Sequence, residues 1–183
     1  MELIQNIDDS ILMFIQNNIC NPTLDKLMPI VTSIGNGGLV WIVVAMVLLL
    51  IKKYRKYGVI MFIALLLCLI IGNVCIKTLV ARPRPCHINT TIKLLIGIPL
   101  DYSFPSGHTM CAFAATAVLW YMNKKIGIIS SILAIAIAFS RMYLYVHYPS
   151  DIFCGALIGL LISIFSIKSF ICLQRKFPGK IIP

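Results

Sequence analysis

The chain has 183 residues, 60% of them hydrophobic and 12% charged, with a mean hydropathy of +0.95. A soluble domain carries about a quarter of its residues as charge, so a disordered chain, a disulfide-built secreted scaffold and an ordinary cytosolic enzyme are excluded, and the length fits one domain. The net charge of +10 reads as membrane topology and not as nucleic-acid binding, because the cations cluster beside long apolar runs.

In residues 3–19, Leu3, Ile4, Ile7, Ile11, Phe14 and Ile15 fall largely on one helical face, with Asp8, Asp9, Gln16 and Asn17 elsewhere. That is the pattern of an amphipathic helix lying in the membrane interface. The first 20 residues lack the basic leader and long apolar run of a cleavable signal peptide. Asn21-Pro22 ends the helix. From Leu27 to Ile51 there is no charge, but Gly35-Asn36-Gly37-Gly38 divides the run. The division predicts a near-surface helix over 24–34 and a first membrane span over 38–51. Lys52, Lys53, Arg55 and Lys56 form a basic loop, and Gly58 to Ile76 is the second span. Residues 77–105 are too basic and too proline-rich to span. The third span is predicted from Ser106 to Met122, the fourth from Ile126 to Val146, and the fifth from Asp151 to Cys172 behind Pro149. The expected fold is therefore all-α: one domain, 1–183, with interfacial helices over 1–37, a core of about five transmembrane helices over 38–172, and a tail over 173–183.

With five spans, the loops at 52–57 and 123–125 and the tail share one side. That side holds ten of the sixteen cations, including Lys168, Arg175, Lys176 and Lys180, and none of the six acids. Lys and Arg mark cytoplasmic loops, which predicts a plasma-membrane protein with its C-terminus inside and the N-terminus, the 77–105 connection and the 141–151 turn outside. The seven cysteines form no CxxC pair and no metal-like spacing. No Cys20–Cys86 disulfide is expected.

Lys77, Arg84 and Arg141 flank predicted span ends on the outer face. A basic residue inside the bilayer costs roughly 2.5–3.5 kcal/mol, so a set of three calls for a wet cavity or an anion to compensate. Lys77 and Arg84 are seven apart and share a face if their helix continues. Pro105-Ser106-Gly107-His108 opens a helix whose unpaired N–H groups suit an anion; the plainer alternative is that Ser106 is only an N-cap. His147 and Asp151 are spaced so that the carboxylate takes the imidazole Nδ1–H and leaves the Nε2 lone pair free. Two histidines and an aspartate also permit a metal triad, but three cations aimed at one place repel a metal and attract an oxyanion. No metal and no cofactor is expected.

The blocks Lys77-(six residues)-Arg84-Pro85, Pro105-Ser106-Gly107-His108 and Ser140-Arg141-(five residues)-His147-(three residues)-Asp151 resemble, in order, the three signature motifs of the type 2 phosphatidic acid phosphatase superfamily, whose core the vanadium haloperoxidases share. The resemblance implies a six-helix core and a lipid phosphatase. It implies phosphate binding by Lys77, Arg84, Ser106, Gly107 and Arg141. It makes His147 the nucleophile, Asp151 its orienting carboxylate, and His108 the acid that protonates the leaving oxygen. Arg82 falls outside the motif spacing and stays unassigned, a lipid-headgroup contact being one reading. The implied partners are the bilayer and a lipid phosphate or diphosphate, foremost undecaprenyl diphosphate on the outer leaflet; phosphatidylglycerophosphate and phosphatidic acid are the alternatives. A non-catalytic lipid-phosphate binder or transporter is the alternative of another class; it needs the cations but not His108, His147 and Asp151 together. Trp41, Trp120, Tyr121, Tyr143 and Tyr145 are assigned no chemistry.

Overall fold

In the computed structural model, residues 2–177 are described, and no strand occurs among them. The chain order is α1 (Glu2–Asn18), α2 (Pro22–Ile34), α3 (Leu39–Leu50), α4 (Arg55–Leu67), α5 (Lys77–Val80), α6 (Pro85–Ile88), α7 (Gly107–Met122), α8 (Lys124–Tyr143) and α9 (Pro149–Lys176). Lys180 lies outside the described residues.

Each boundary has a local cause. The Asn21 side chain accepts from Thr23 N and Leu24 N, and Pro22 sits at the first helical position of α2. The α2–α3 break is a 3₁₀ turn, Asn36–Gly38, in which Gly37 and Gly38 take left-handed φ values of 59° and 69°, a conformation that costs glycine almost nothing. Asn123 caps α8 through Lys125 N and Ile126 N. Between α4 and α5 the chain runs as a π-helix, Cys68–Ile76, a form concentrated at functional sites.

Four stretches are long and apolar enough to cross a membrane: Pro22–Leu50, Lys52–Ile88, Lys124–Tyr143 and Pro149–Lys176. The remaining predicted span, α7, has 16 residues, about 24 Å of helix, and is the axis of the bundle. Ala112, Ala115, Val118 and Leu119 of α7 share one buried cluster with Trp41 and Leu48 of α3, Ile60 and Met61 of α4, Ile137 of α8 and Phe170 of α9. Small residues on α7 let its neighbours approach closely. Large apolar side chains such as Leu50, Ile129, Ile132, Phe153 and Phe165 point outward, as lipid-facing positions require.

Two details go beyond the sequence reading. In α1 the helix forms, but Leu3, Ile4, Ile7, Ile11 and Phe14 are exposed, and the helix packs on the bundle through Asp8, Leu12 and Ile15. The apolar face is thus left for lipid, and a carboxylate is turned inward. Nor do Lys77 and Arg84 lie on one continuous helix. Ala81 adopts a left-handed φ of 47° that ends α5, and Arg84 stands in extended backbone before Pro85.

Candidate active site

The α5 break is what makes Lys77 and Arg84 neighbours. Lys77 closes the second span, and the extended Arg82-Pro83-Arg84 segment folds back, so that both side chains reach one carboxylate. Lys77 Nζ lies 2.5 Å from Asp101 Oδ2, and Arg84 Nη2 donates to Asp101 Oδ1 at 2.7 Å. Burial alone works to raise the Asp101 pKa. The bond from Lys77 and the charge of Arg84 override it and hold the carboxyl well below the usual carboxylate range. Asp101 therefore sits where the cationic cradle expects an oxyanion.

Arg141, near the end of α8, faces the same cavity. Its Nη1 donates to Thr32 Oγ1 at 2.7 Å, while its buried Nε has no partner among the described residues. An unpaired buried guanidinium N–H is costly, and a phosphate oxygen satisfies it.

His147 occupies the turn between α8 and α9 and is 1% exposed. Arg84 Nη1 lies 2.9 Å from its Nε2 and also donates to Val146 O at 2.6 Å. A guanidinium only donates, so Nε2 must be the acceptor and the ring proton resides on Nδ1. That nitrogen faces Asp151 Oδ2 at 3.5 Å and Ser103 Oγ at 3.4 Å. The Ser103 hydroxyl in turn donates to Asp151 Oδ2, which also accepts from Tyr148 N at 2.9 Å. The two side chains foreseen as a pair from the i,i+4 spacing stand 3.5 Å apart without a hydrogen bond between them, and Ser103 sits beside both. Burial first, then the charges of Arg84, Arg141 and Lys77, push the His147 pKa well below that of a free imidazole. The ring is neutral at physiological pH, with its Nε2 lone pair turned towards the cations.

His108 is on the first turn of α7, and its Nε2 lies 2.9 Å from Asn36 Oδ1 in the α2–α3 turn. Gly107 precedes it, with Asn73 of the π-helix packed so close that a Cβ at 107 would stand 2.7 Å from Asn73 Oδ1. Lys77, Arg84, Asp101, Gly107, His108, Arg141 and His147 line one cavity of about 660 Å³. One side of the wall is apolar, from Ile42 on α3 to Phe62, Leu65, Leu66 and Leu69 along α4 and the π-helix, and Thr32, Ser33, Asn36 and Asn73 add polar groups elsewhere. A cationic head and an apolar groove open into each other. Ser106 and Asp151 are the sequence-predicted residues that stay apart from this lining, Asp151 behind His147 and Ser106 at the start of α7. Ser106 takes no part in the cavity wall. It is fully buried at the N-cap of α7 without a side-chain cap bond, its Oγ accepts from Thr109 Oγ1, and its N–H donates to Asp151 O at 3.2 Å. Asp151 sends its other oxygen to Arg82, and among the described residues no three His, Cys, Asp or Glu side chains gather as metal ligands would.

Arg82, left unassigned by the sequence, is half-buried and turns its guanidinium into the protein, paired to Asp8 and Asp151. The sequence reading also passed over Asp101, Ser103, Asn36 and Asn73. Asp101 had a signal: it is the single acid in the basic 77–105 connection. Asn36 had a weaker one, as a polar side chain inside a glycine break.

The sequence model of the PAP2 superfamily matches residues 53–171. An undecaprenyl-diphosphatase from Sulfolobus acidocaldarius is 34% identical over 147 residues, 80% of this chain and 70% of that protein. The undecaprenyl-diphosphatase BcrC of Bacillus subtilis is 32% identical over 157 residues, 86% of this chain and 80% of its own length. The crystal structure of Aquifex aeolicus LpxE superposes with a TM-score of 0.78 at 32% identity, covering 88% of this chain and 95% of that one. The protein belongs to the PAP2 superfamily. It is an integral membrane lipid phosphatase.

Proposed function

We propose that the chain removes the terminal phosphate of undecaprenyl diphosphate at the outer leaflet, leaving undecaprenyl phosphate. The observation that carries the chemistry is the neutral His147 whose Nε2 lone pair lies in a cavity shared with Lys77, Arg84 and Arg141. The apolar groove supports a substrate with its phosphate at headgroup depth and its tail in lipid. Similarity to two undecaprenyl-diphosphatases supports this choice among lipid phosphates. The outward orientation rests on the ten cations gathered on the opposite side.

In this reading the entering phosphate takes Lys77 and Arg84 from Asp101 and adds Arg141 Nε and the Gly107 N–H, while Ser106 stays at the N-cap of α7. Arg84 gives up its bond to His147 Nε2, which frees the lone pair for in-line attack on phosphorus. The P–O bond to the leaving lipid phosphate breaks as the N–P bond forms. The imidazolium that develops keeps its Nδ1–H towards Asp151. His108, steadied by Asn36, hands a proton to the leaving oxygen and then takes one from the water that clears the phosphohistidine. Three cations and a helix N-terminus supply the charge stabilisation that phosphoryl transfer requires, and no step uses a metal.

Phosphate release by the purified protein against undecaprenyl diphosphate, undecaprenyl phosphate, phosphatidylglycerophosphate and phosphatidic acid tests the assignment. Fastest turnover of the diphosphate supports it, and preference for a glycerolipid redirects the substrate. Binding of all four without phosphate release identifies a binder or transporter.

A further inference from the structure

Arg82 lies outside the phosphate cradle, yet its contacts are among the densest in the protein. Its backbone carbonyl accepts from Ser103 N at 2.8 Å. Its guanidinium lies 3.9 Å over the Tyr148 ring. Nη1 donates to Asp151 Oδ1 at 2.8 Å and Ser150 Oγ at 2.7 Å; Nη2 donates to Asp8 Oδ2 at 2.8 Å and Gln5 Oε1 at 2.7 Å. Asp8 is 2% exposed, although it belongs to a helix whose Leu3, Ile4, Ile7, Ile11 and Phe14 face outward. Its Oδ1 accepts from Ser150 N at 2.9 Å, and its Oδ2 accepts from the Ser150 hydroxyl at 2.5 Å. A carboxylate buried without partners costs several kcal/mol, and here every partner belongs to Arg82 or to the first turn of α9.

The two oxygens of Asp151 have separate tasks. Oδ1 is held by Arg82, and Oδ2 faces Ser103, Tyr148 N and the Nδ1 side of His147. Arg82 alone draws charge away from Asp151. Asp8, bonded to the other arm of the same guanidinium, offsets that draw, so Asp151 keeps negative charge for the imidazole. Resting on the phosphatase reading above, we infer that Arg82 and Asp8 form one ion-paired unit that positions Asp151 for His147, making α1 a working part of the active site. Arg82 and Asp8 are positioning residues: neither lines the cavity. The unit also explains why α1 turns an acid inward.

The charged groups around His147 are Lys77, Arg84 and Asp101 from the 77–105 segment, His108 on α7, Arg141 on α8 and Asp151 on α9. The unit adds Arg82 and Asp8 behind Asp151. Neutral His147 is required for attack, so the acid limb of kcat/KM follows its ionisation. Removing the negative charge of Asp8 disfavours imidazolium and moves that limb to lower pH. Removing the positive charge of Arg82 favours imidazolium and moves it to higher pH.

The test uses the full-length protein in detergent with farnesyl diphosphate in mixed micelles as probe, comparing Asp8→Asn, Arg82→Gln and Arg82→Lys with wild type across pH. The expected result is a kcat loss of about tenfold or more in Asp8→Asn and Arg82→Gln, with KM held within about twofold. Their acid limbs move in opposite directions by about half a pH unit, less than the 1–3 units of a directly opposed charge. Arg82→Lys loses rate but keeps the wild-type limb. Gln5→Glu, which keeps an acceptor for Arg82 and adds negative charge, carries the test if Asp8→Asn misfolds; its limb moves up. Limbs that stay fixed or move together, or losses confined to KM, overturn the inference and leave the phosphatase reading intact. Absence of phosphate release by the wild type on farnesyl diphosphate and on all four lipids named above overturns that reading and this inference with it.

Discussion

Gly155 lies one helical turn beyond Asp151 on α9, packed against the residue that precedes α7. A Cβ there stands 2.8 Å from Ser106 O, 3.4 Å from Ser106 N and 3.5 Å from Thr109 Cβ. The nearest atom is backbone, so Gly155→Ala forces α9 away by about 0.6 Å to reach the 3.4 Å at which ordinary contact begins. Overpacking of this kind costs about 1–3 kcal/mol, a fall in Tm of about 2–10 °C for a chain of this size. The same shift carries Asp151 away from His147, which is held in its turn by Arg84. A 1 Å misplacement costs about 10²-fold in rate, so a loss of roughly tenfold in kcat is expected. Thermal unfolding in detergent, followed by Trp fluorescence, and kcat measured well below Tm separate the two effects. Gly97→Ala is the control for packing, because a Cβ there meets nothing within 4 Å, and it leaves Tm unchanged. A Gly155→Ala protein with lowered Tm but wild-type kcat refutes the coupling of α9 position to chemistry; one unchanged in both refutes the close approach itself.

Arg84→Ala removes bonds to Asp101, Val146 and His147 at once and is expected to reduce kcat/KM more than Arg82→Ala; the reverse order in steady-state assays contradicts the assignment of the cradle. Asp101→Asn leaves Lys77 and Arg84 without their competing anion, so orthovanadate inhibits the variant at lower concentration than wild type, and weaker inhibition shows that Asp101 builds the anion site instead of filling it. Because the folded-state Asp101 carboxyl is depressed, its stabilisation is complete above the ordinary carboxylate pKa of about 3.9 and lost as pH falls through the folded value. The Tm gap between wild type and Asp101→Asn is therefore constant from about pH 8 to 5 and narrows below about pH 4; a gap that closes near neutral pH contradicts the ion pairing. The requirement for neutral His147 gives the pH–rate profile an acid limb below that of a free imidazole near 6.5; an acid limb at or above about pH 6.5 opposes this role.

The bundle and most of the site were legible in the sequence for a physical reason. Apolar runs between charge clusters leave few ways to cross a bilayer, and the Lys77, Arg84, His108, Arg141, His147 and Asp151 spacing names a constellation that local backbone can deliver. Contacts between distant segments were not legible. Asp8 looked like solvent-side polarity on an amphipathic helix because periodicity cannot report that Arg82, 74 positions away, meets it. Arg82 looked surplus because its partners come from α1 and α9. Whether the helix carrying Lys77 continues to Arg84 was left open because no glycine marks a break; Ala81 takes the left-handed conformation that ends it. Ser103 stood in a plain loop, yet it lies between His147 and Asp151. α7 resembled any other span, and only its packing on α4, α8 and α9 makes it the axis on which the motifs converge.

The most direct measurement follows the phosphoryl group itself. Brief mixing of the protein with a terminally ³²P-labelled prenyl diphosphate, an alkaline quench that preserves phosphoramidate, and peptide mapping should place the label on His147. His147→Gln should carry none while remaining folded. Turnover by the wild type with no labelled peptide, or with the label on any other residue, contradicts the nucleophile on which the account depends.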